Sequence, residues 1–257
     1  MDLELKNKRF VICGATSGFG EAMANQLIEE GAHIIAIARN EEALVKLQSK
    51  AFEQVEILCG DITQSDTIDQ LKQLIGDKYL SGIVVNAGGP PARTFIETSL
   101  SDWDEAYNKL LRWKVEITHA FLPKFREQGY GRFLYIESSS VKQPIENLIL
   151  STSLRLAVVG MMKTISEEHA QEGITFNVMA PSFHNTPAVD RLVQKKADTL
   201  GISFDEAREL AEKNLKLGKA GNPEDFASLG LWLLSERSSF VTGQVYAVEG
   251  GNVKSTL

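Results

Sequence analysis

Directly after an apolar run ending in Cys13, the chain reads Gly14-Ala15-Thr16-Ser17-Gly18-Phe19-Gly20, a GxxxGxG arrangement. Glycines at this spacing let a backbone close around an anion. Where such a turn opens a helix, free N–H groups and the positive end of the helix dipole suit a phosphate. Tight strand-to-helix packing is the other use of glycine here. Three more polar groups follow apolar runs farther along: Asp61, then Asn86-Ala87-Gly88-Gly89, then Pro181-Ser182-Phe183-His184-Asn185-Thr186. In α/β folds, ligands bind outside the carboxyl ends of the strands, which is where these groups stand.

The elements that must hold them are legible as short Val- and Ile-rich runs alternating with stretches of helical periodicity, the pattern of βαβ units. Strands are expected at Arg9 to Cys13, His33 to Ala38, Val55 to Cys59, Gly82 to Asn86, Gly131 to Ile136, Thr175 to Ala180 and Gln244 to Val248. Helices are expected at Phe19 to Glu30, Glu41 to Lys50, Ser65 to Ile75, Trp103 to Gln128, Ile149 to Gln171 and Pro223 to Leu234. Asn222 is read as a helix cap ahead of Pro223, and Ser203 with Glu206 as a capping box. The fold class is therefore α/β: a Rossmann-type, doubly wound, seven-stranded parallel sheet in a single domain over 1–257. Residues 187–217 form a small helical lobe over its carboxyl edge.

At 257 residues, one large core is expected rather than two domains. The net charge of −7 speaks against a nucleic-acid partner, which needs a concentrated basic face. No apolar run is read as approaching the roughly 20 residues that span a bilayer, so no membrane association and a cytoplasmic location are expected. Cys13 and Cys59 show no spacing for metal or redox work and are read as packing residues, with no metal site.

Taken in order, the glycine turn, Asp61, the Asn86-Ala87-Gly88 element, the Pro181 to Thr186 segment, Gly243-Gln244 and Glu249-Gly250-Gly251 resemble the successive motifs of the short-chain dehydrogenase/reductase family. The resemblance spans nearly the whole chain. It implies that Gly14, Ser17, Gly18 and Phe19 line a dinucleotide's pyrophosphate, that Asp61 and Ile62 face the adenine, and that Asn86, Ala87 and Gly88 border the adenosine ribose. Pro181, His184 and Thr186 would border the nicotinamide. Cys13 and Ser182 replace the family's usual Thr and Gly. At the end of the second strand an acidic residue would bind a ribose 2′-hydroxyl, whereas an arginine accepts a 2′-phosphate. The chain has Arg39 and no carboxylate there, so NADP(H) is preferred, with NAD(H) open and a solvated loop arginine as the alternative.

The family's catalytic set is a different matter. Aligning Gly131 to Ser138 on its fifth strand places Ser138 at the catalytic Ser, Ser151 where Tyr belongs, Arg155 where Lys belongs and Leu110 where Asn belongs. None of the tyrosines, at 79, 107, 130, 135 and 246, lies on the helix beginning near Ile149. Arg155, one turn after Ser151, can reach ribose hydroxyls or stabilise an oxyanion but cannot exchange protons. Ser151 has no evident base and is read as a hydrogen-bonding group. Lys142, Glu137 and His184 are alternative proton donors, each set against a solvated or structural role.

Two readings of function carry weight, and a lyase or isomerase that uses the same pocket with a bound nucleotide as a structural element is a third that nothing in the sequence singles out. One is an NADP(H)-dependent oxidoreductase with a divergent site (Ser138, Ser151, Arg155), acting on a carbonyl or hydroxyl substrate such as a 3-oxoacyl group and resembling the 3-oxoacyl-acyl-carrier-protein reductase branch. The other is a catalytically inactive dinucleotide sensor or partner subunit. The family resemblance also implies a homodimer or homotetramer through the two long helices.

Overall fold

The Val-, Ile- and Phe-rich runs become strands β1 (Arg9–Cys13), β2 (His33–Ala38), β3 (Val55–Cys59), β4 (Gly82–Val85), β5 (Gly131–Ile136), β6 (Ile174–Pro181) and β7 (Gln244–Val248). In the computed structural model, which describes residues 2–256, all seven pair in parallel in the order β3-β2-β1-β4-β5-β6-β7. The central strands are buried on both faces, so they read as continuous apolar runs rather than as alternation.

Around the sheet lie α1 (Gly18–Glu29), α2 (Glu41–Lys50), α3 (Ser65–Ile75), α4 (Leu100–Tyr107), α5 (Trp113–Gln128), α6 (Ile149–Glu168), α7 (Pro187–Leu200), α8 (Phe204–Glu212) and α9 (Pro223–Leu234). The two-residue period of the strands divides their side chains between two cores. Phe10, Ile12, Ile34 and Leu134 pack with α1, α2 and α9, while Val11, Cys13, Ile35 and Tyr135 pack with α3, α5 and α6. Each fully buried Ile, Val or Phe contributes about 1.5–3 kcal/mol from the area it removes from water. The lobe has its own small core, Val189, Val193, Ala197 and Ala207, and the expected capping box is present, with Ser203 Oγ accepting from Glu206 N at 3.2 Å.

Three local expectations fail. The long helix expected from Trp103 to Gln128 is broken by a π-helical turn at Asn108–Arg112, because an extra residue is accommodated there between α4 and α5. Asn222 makes no capping bond; its Oδ1 instead accepts from Asn185 Nδ2 at 3.3 Å, tying α9 to the lobe's entry loop. Helix α6, 20 residues long with a mean hydropathy of 1.2, has the length and composition of a membrane-crossing segment. Counting uninterrupted apolar residues missed it, because its Ser, Thr and Gly residues interrupt the run without making the helix polar. In the fold it lies on the sheet, with Leu150, Ser151, Arg155, Val158 and Met162 buried on its inner face.

The chain winds outward from β1 toward β3, then crosses back to begin the other half at β4. The loops leaving β1 and β4 therefore diverge, opening a crevice at the carboxyl edge between them.

Candidate active site

The glycine turn occupies that crevice. Gly14 has φ +69° and Gly18 φ +55°, left-handed conformations that side chains adopt only at a cost. A Cβ on Gly20 would stand 2.1 Å from the Gly14 carbonyl oxygen, so α1 starts pressed against the turn that precedes it. Ser17, the N-cap of α1, is extended and its side chain makes no capping bond. The first-turn N–H groups of α1 are thus left without a side-chain acceptor, at the positive end of the helix. Across the crevice, Asn86 Nδ2 donates to the Cys13 carbonyl at 3.3 Å, tying the end of β4 to the end of β1.

These groups border one cleft of about 640 Å³, formed by the loops after β1 to β6 and closed on one side by the start of α7. Every residue assigned to the dinucleotide from the sequence lines it except His184. Gly14, Ser17, Gly18 and Phe19 meet Arg39, Asp61, Ile62, Asn86, Ala87, Gly88, Arg155, Pro181 and Thr186 around the same space. A Cβ on Gly88 would meet nothing within 4 Å, so the backbone there faces open room. Asp61 Oδ1 is held by the Thr63 amide at 3.0 Å and its hydroxyl at 2.8 Å. Arg39 makes no ion pair among the described residues, and the next residue, Asn40, caps α2 by accepting from Ala43 N at 3.0 Å. A turn shaped for an anion, an uncapped helix start and a free arginine at the end of β2 fit a phosphorylated dinucleotide.

His184 is set behind the lining. Its ring lies edge-on between Phe19 and Phe226, with centroids 5.1 and 5.7 Å away, and Nδ1 is 3.3 Å from the Ser182 carbonyl. Burial holds its pKa below the ordinary histidine value. Its role in this geometry is to support Phe19 and the lobe's entry loop, where a Cβ on Gly221 would touch its ring at 2.6 Å.

The other end of the cleft is where the family's catalytic residues are replaced. Arg155 Nε donates to Ser151 Oγ at 3.0 Å, and its Nη1 donates to the Ile136 carbonyl at 3.3 Å and to Glu137 Oε2 at 2.9 Å. Glu137 Oε1 accepts from Lys114 Nζ at 2.5 Å. All three charged side chains are almost wholly enclosed, the glutamate completely. Burial lowers the Lys114 ammonium to about 8 against the pull of Glu137. Burial also pushes the neighbouring Cys13 thiol up to about 12. Ser138 and Ser151 stand outside the lining. Ser138 Oγ accepts from Ser140 N at 3.2 Å, which leaves its own O–H free to donate. Leu110, at the family's Asn position, is fully buried. Lys142 lies half-buried at the end of the short turn after Ser138, away from the cleft.

Sequence reasoning missed Lys114 entirely. The signal was present: it sits on the apolar stripe of Leu110, Ile117 and Phe121, where a lysine demands a partner, but that partner is 23 residues away on another element. It also missed Lys109 and Arg191, cations that line the cleft from the π-helical turn and from the first turns of α7.

The protein-family model described as enoyl-(acyl carrier protein) reductase matches residues 14–252. The chain is 30% identical over 256 residues to the 3-oxoacyl-[acyl-carrier-protein] reductase FabG of Thermotoga maritima, covering 98% of this chain and 100% of that one. It is likewise 30% identical over 249 residues to dehydrogenase/reductase SDR family member 6 of Rattus norvegicus, covering 96% and 98%. Among solved structures, L-sorbose reductase from Gluconobacter frateurii, complexed with NADPH and L-sorbose, superposes with a TM-score of 0.92 at 25% identity, covering 99% of this chain and 100% of that one.

Proposed function

Since the chain belongs to the short-chain dehydrogenase/reductase family, we propose that it is an NADP(H)-dependent oxidoreductase with a divergent active site, acting on a carbonyl or hydroxyl substrate of which a 3-oxoacyl group is one example. The observation that carries this reading is the cleft itself: the glycine turn, the uncapped start of α1 and the unpaired Arg39 converge on it at the switch between the sheet's halves. Arg39 would take the 2′-phosphate, the α1 terminus the pyrophosphate, and Asn86 to Gly88 the adenosine ribose. The cofactor would supply or accept the hydride.

The chain's own residues then have two tasks at the reacting end. Ser138 stands behind the lining with its O–H uncommitted and would hydrogen-bond a substrate oxygen that reaches past the cleft wall, while the proton for that oxygen comes from solvent water. Arg155, itself almost wholly enclosed, brings a positive charge to the place where negative charge develops on that oxygen. Ser151 accepts from Arg155 and keeps the guanidinium turned toward the cleft. Support for NADP(H) comes from Arg39 and from the NADPH carried by the sorbose reductase relative.

A second reading, an inactive sensor or partner subunit, is favoured by one observation: among the described residues no Tyr, His or Cys lines the cleft, and the one carboxylate at its reacting end, Glu137, has both oxygens occupied by Lys114 and Arg155. The two readings separate when NADPH binding and NADPH oxidation are followed in the same samples across a carbonyl panel. Binding with turnover supports the enzyme, and binding without turnover supports the sensor. A dimer or tetramer belongs to this proposal as well, supported by the apolar outer face of α6, where Leu156 is exposed and Val159 and Met161 are half-buried. So does a cytoplasmic setting, which suits two cysteines that are both free thiols.

A further inference from the structure

The Lys114, Glu137 and Arg155 side chains form a buried chain of two cations around one carboxylate, with neither end paired to a second acid among the described residues. Enclosed charge is costly unless compensated, and here one positive charge is left over beside the cleft. While Lys114 keeps its proton, the excess has one outlet. The Nε and Nη1 groups of Arg155 are committed to Ser151, Ile136 and Glu137, while Nη2 has no partner among the described residues. That nitrogen points to Gly89 on the cleft wall, where an added Cβ would lie 3.3 Å from it, so the missing side chain leaves space beside the donor. Lys109 and Arg191 add cationic character to the same cleft, and among the described residues its only carboxylates are Asp61, bound to Thr63 after β3, and the occupied Glu137.

From this geometry we infer that the substrate is a carbonyl or hydroxyl compound bearing a free carboxylate, and that the carboxylate seats on one N–H of Arg155 Nη2 beside Gly89, leaving the second N–H of that nitrogen for the reacting oxygen. A nicotinamide ribose would offer hydrogen bonds to the same nitrogen but brings no charge, so it leaves the excess uncompensated. A carboxylate completes the alternation of charges and gains a charge-assisted bond. The inference rests on the reading of the cleft as a dinucleotide site, and it narrows the substrate from neutral esters and thioesters to free acids.

The test has two arms. In the first, the protein without nucleotide is titrated with acetate and with acetamide at constant ionic strength, and the melting temperature is followed. Acetate should raise it saturably, acetamide should not, and Arg155→Met should lose the response while Arg155→Lys keeps part of it. Equal responses to acetate and acetamide overturn the inference, a wild-type comparison that stands even if Arg155→Met fails to fold. An acetate response retained in full by Arg155→Met or Arg155→Lys assigns the anion to the α1 terminus or Arg39 and overturns it as well. In the second arm, NADPH oxidation is compared for acetoacetate and methyl acetoacetate, with an expected advantage of at least about tenfold in kcat/KM for the acid. An ester as good as the acid also overturns the inference. Failure of NADPH to bind defeats the dinucleotide reading instead, and leaves the acetate arm to decide the anion site.

Discussion

Arg155 Nε donates to Ser151 Oγ at 3.0 Å, one helical turn apart on the inner face of α6. In place of an acidic hydroxyl and an exchangeable ammonium, the site holds a neutral hydroxyl and a guanidinium that stays charged at any working pH. Electrostatic stabilisation survives this exchange better than proton transfer does. Arg155→Met should therefore lower kcat for NADPH oxidation by about 10²- to 10³-fold, the usual effect of losing one oxyanion donor. Steady-state kinetics alongside an NADPH titration check this; a variant with undiminished kcat would remove Arg155 from the chemistry.

Lys114 couples stability to pH. Its ammonium loses its proton near 8 in the folded chain instead of near 10.5. Between those values the unfolded state binds the extra proton, so the contribution of this group to stability rises as pH rises through the window. The unfolding free energy of the wild type relative to Lys114→Met should increase by a few kcal/mol, in order of magnitude, from pH 8 to 10.5. Urea melts of both proteins across that range measure it. A difference that is flat with pH would mean that Lys114 keeps an ordinary ammonium.

Gly20→Ala places a methyl where the Gly14 carbonyl already stands. Either α1 or the turn must move, at a cost of about 1–3 kcal/mol for overpacking. The movement displaces the N–H groups assigned to the pyrophosphate, so NADPH affinity should fall much more than stability does. Parallel urea melts and nucleotide titrations separate the two effects, and unchanged affinity would detach the turn from the nucleotide.

Thiol chemistry should divide the two cysteines. Cys13 is fully buried with its pKa pushed up to about 12, while Cys59 is exposed at the end of β3. An aromatic disulfide reagent should modify one thiol promptly in the native protein and the second only as fast as the chain unfolds. Two fast equivalents would show that the end of β1 is open.

Much of this was legible in advance, because the information was local. Val- and Ile-rich runs mark β1, β2 and β3 to the residue, and the glycine turn with Asn86 and Pro181 marks the cleft, since each motif sits on the loop it shapes. What escaped depends on distant partners. Nothing near Lys114 names Glu137 as its counter-ion, and nothing near Asn222 shows that Asn185 will occupy its side chain. The π-helical turn at Asn108–Arg112 leaves no mark on a 3.6-residue pattern, because it only shifts the phase between two helices that are each regular. His184 belongs to a motif that reaches the cleft, yet its ring found a better place between two phenylalanines.

The central claim is that this cleft holds NADP(H) through Arg39 and the start of α1. The direct measurement is a fluorescence titration of the wild type and of Arg39→Ala with NADPH and NADH. The expected result is tighter binding of NADPH than NADH in the wild type, with the preference lost by about tenfold or more in Arg39→Ala, in line with a charge-assisted contact worth about 1.5–3 kcal/mol. Binding of neither nucleotide, or an NADPH preference untouched by the substitution, would contradict it.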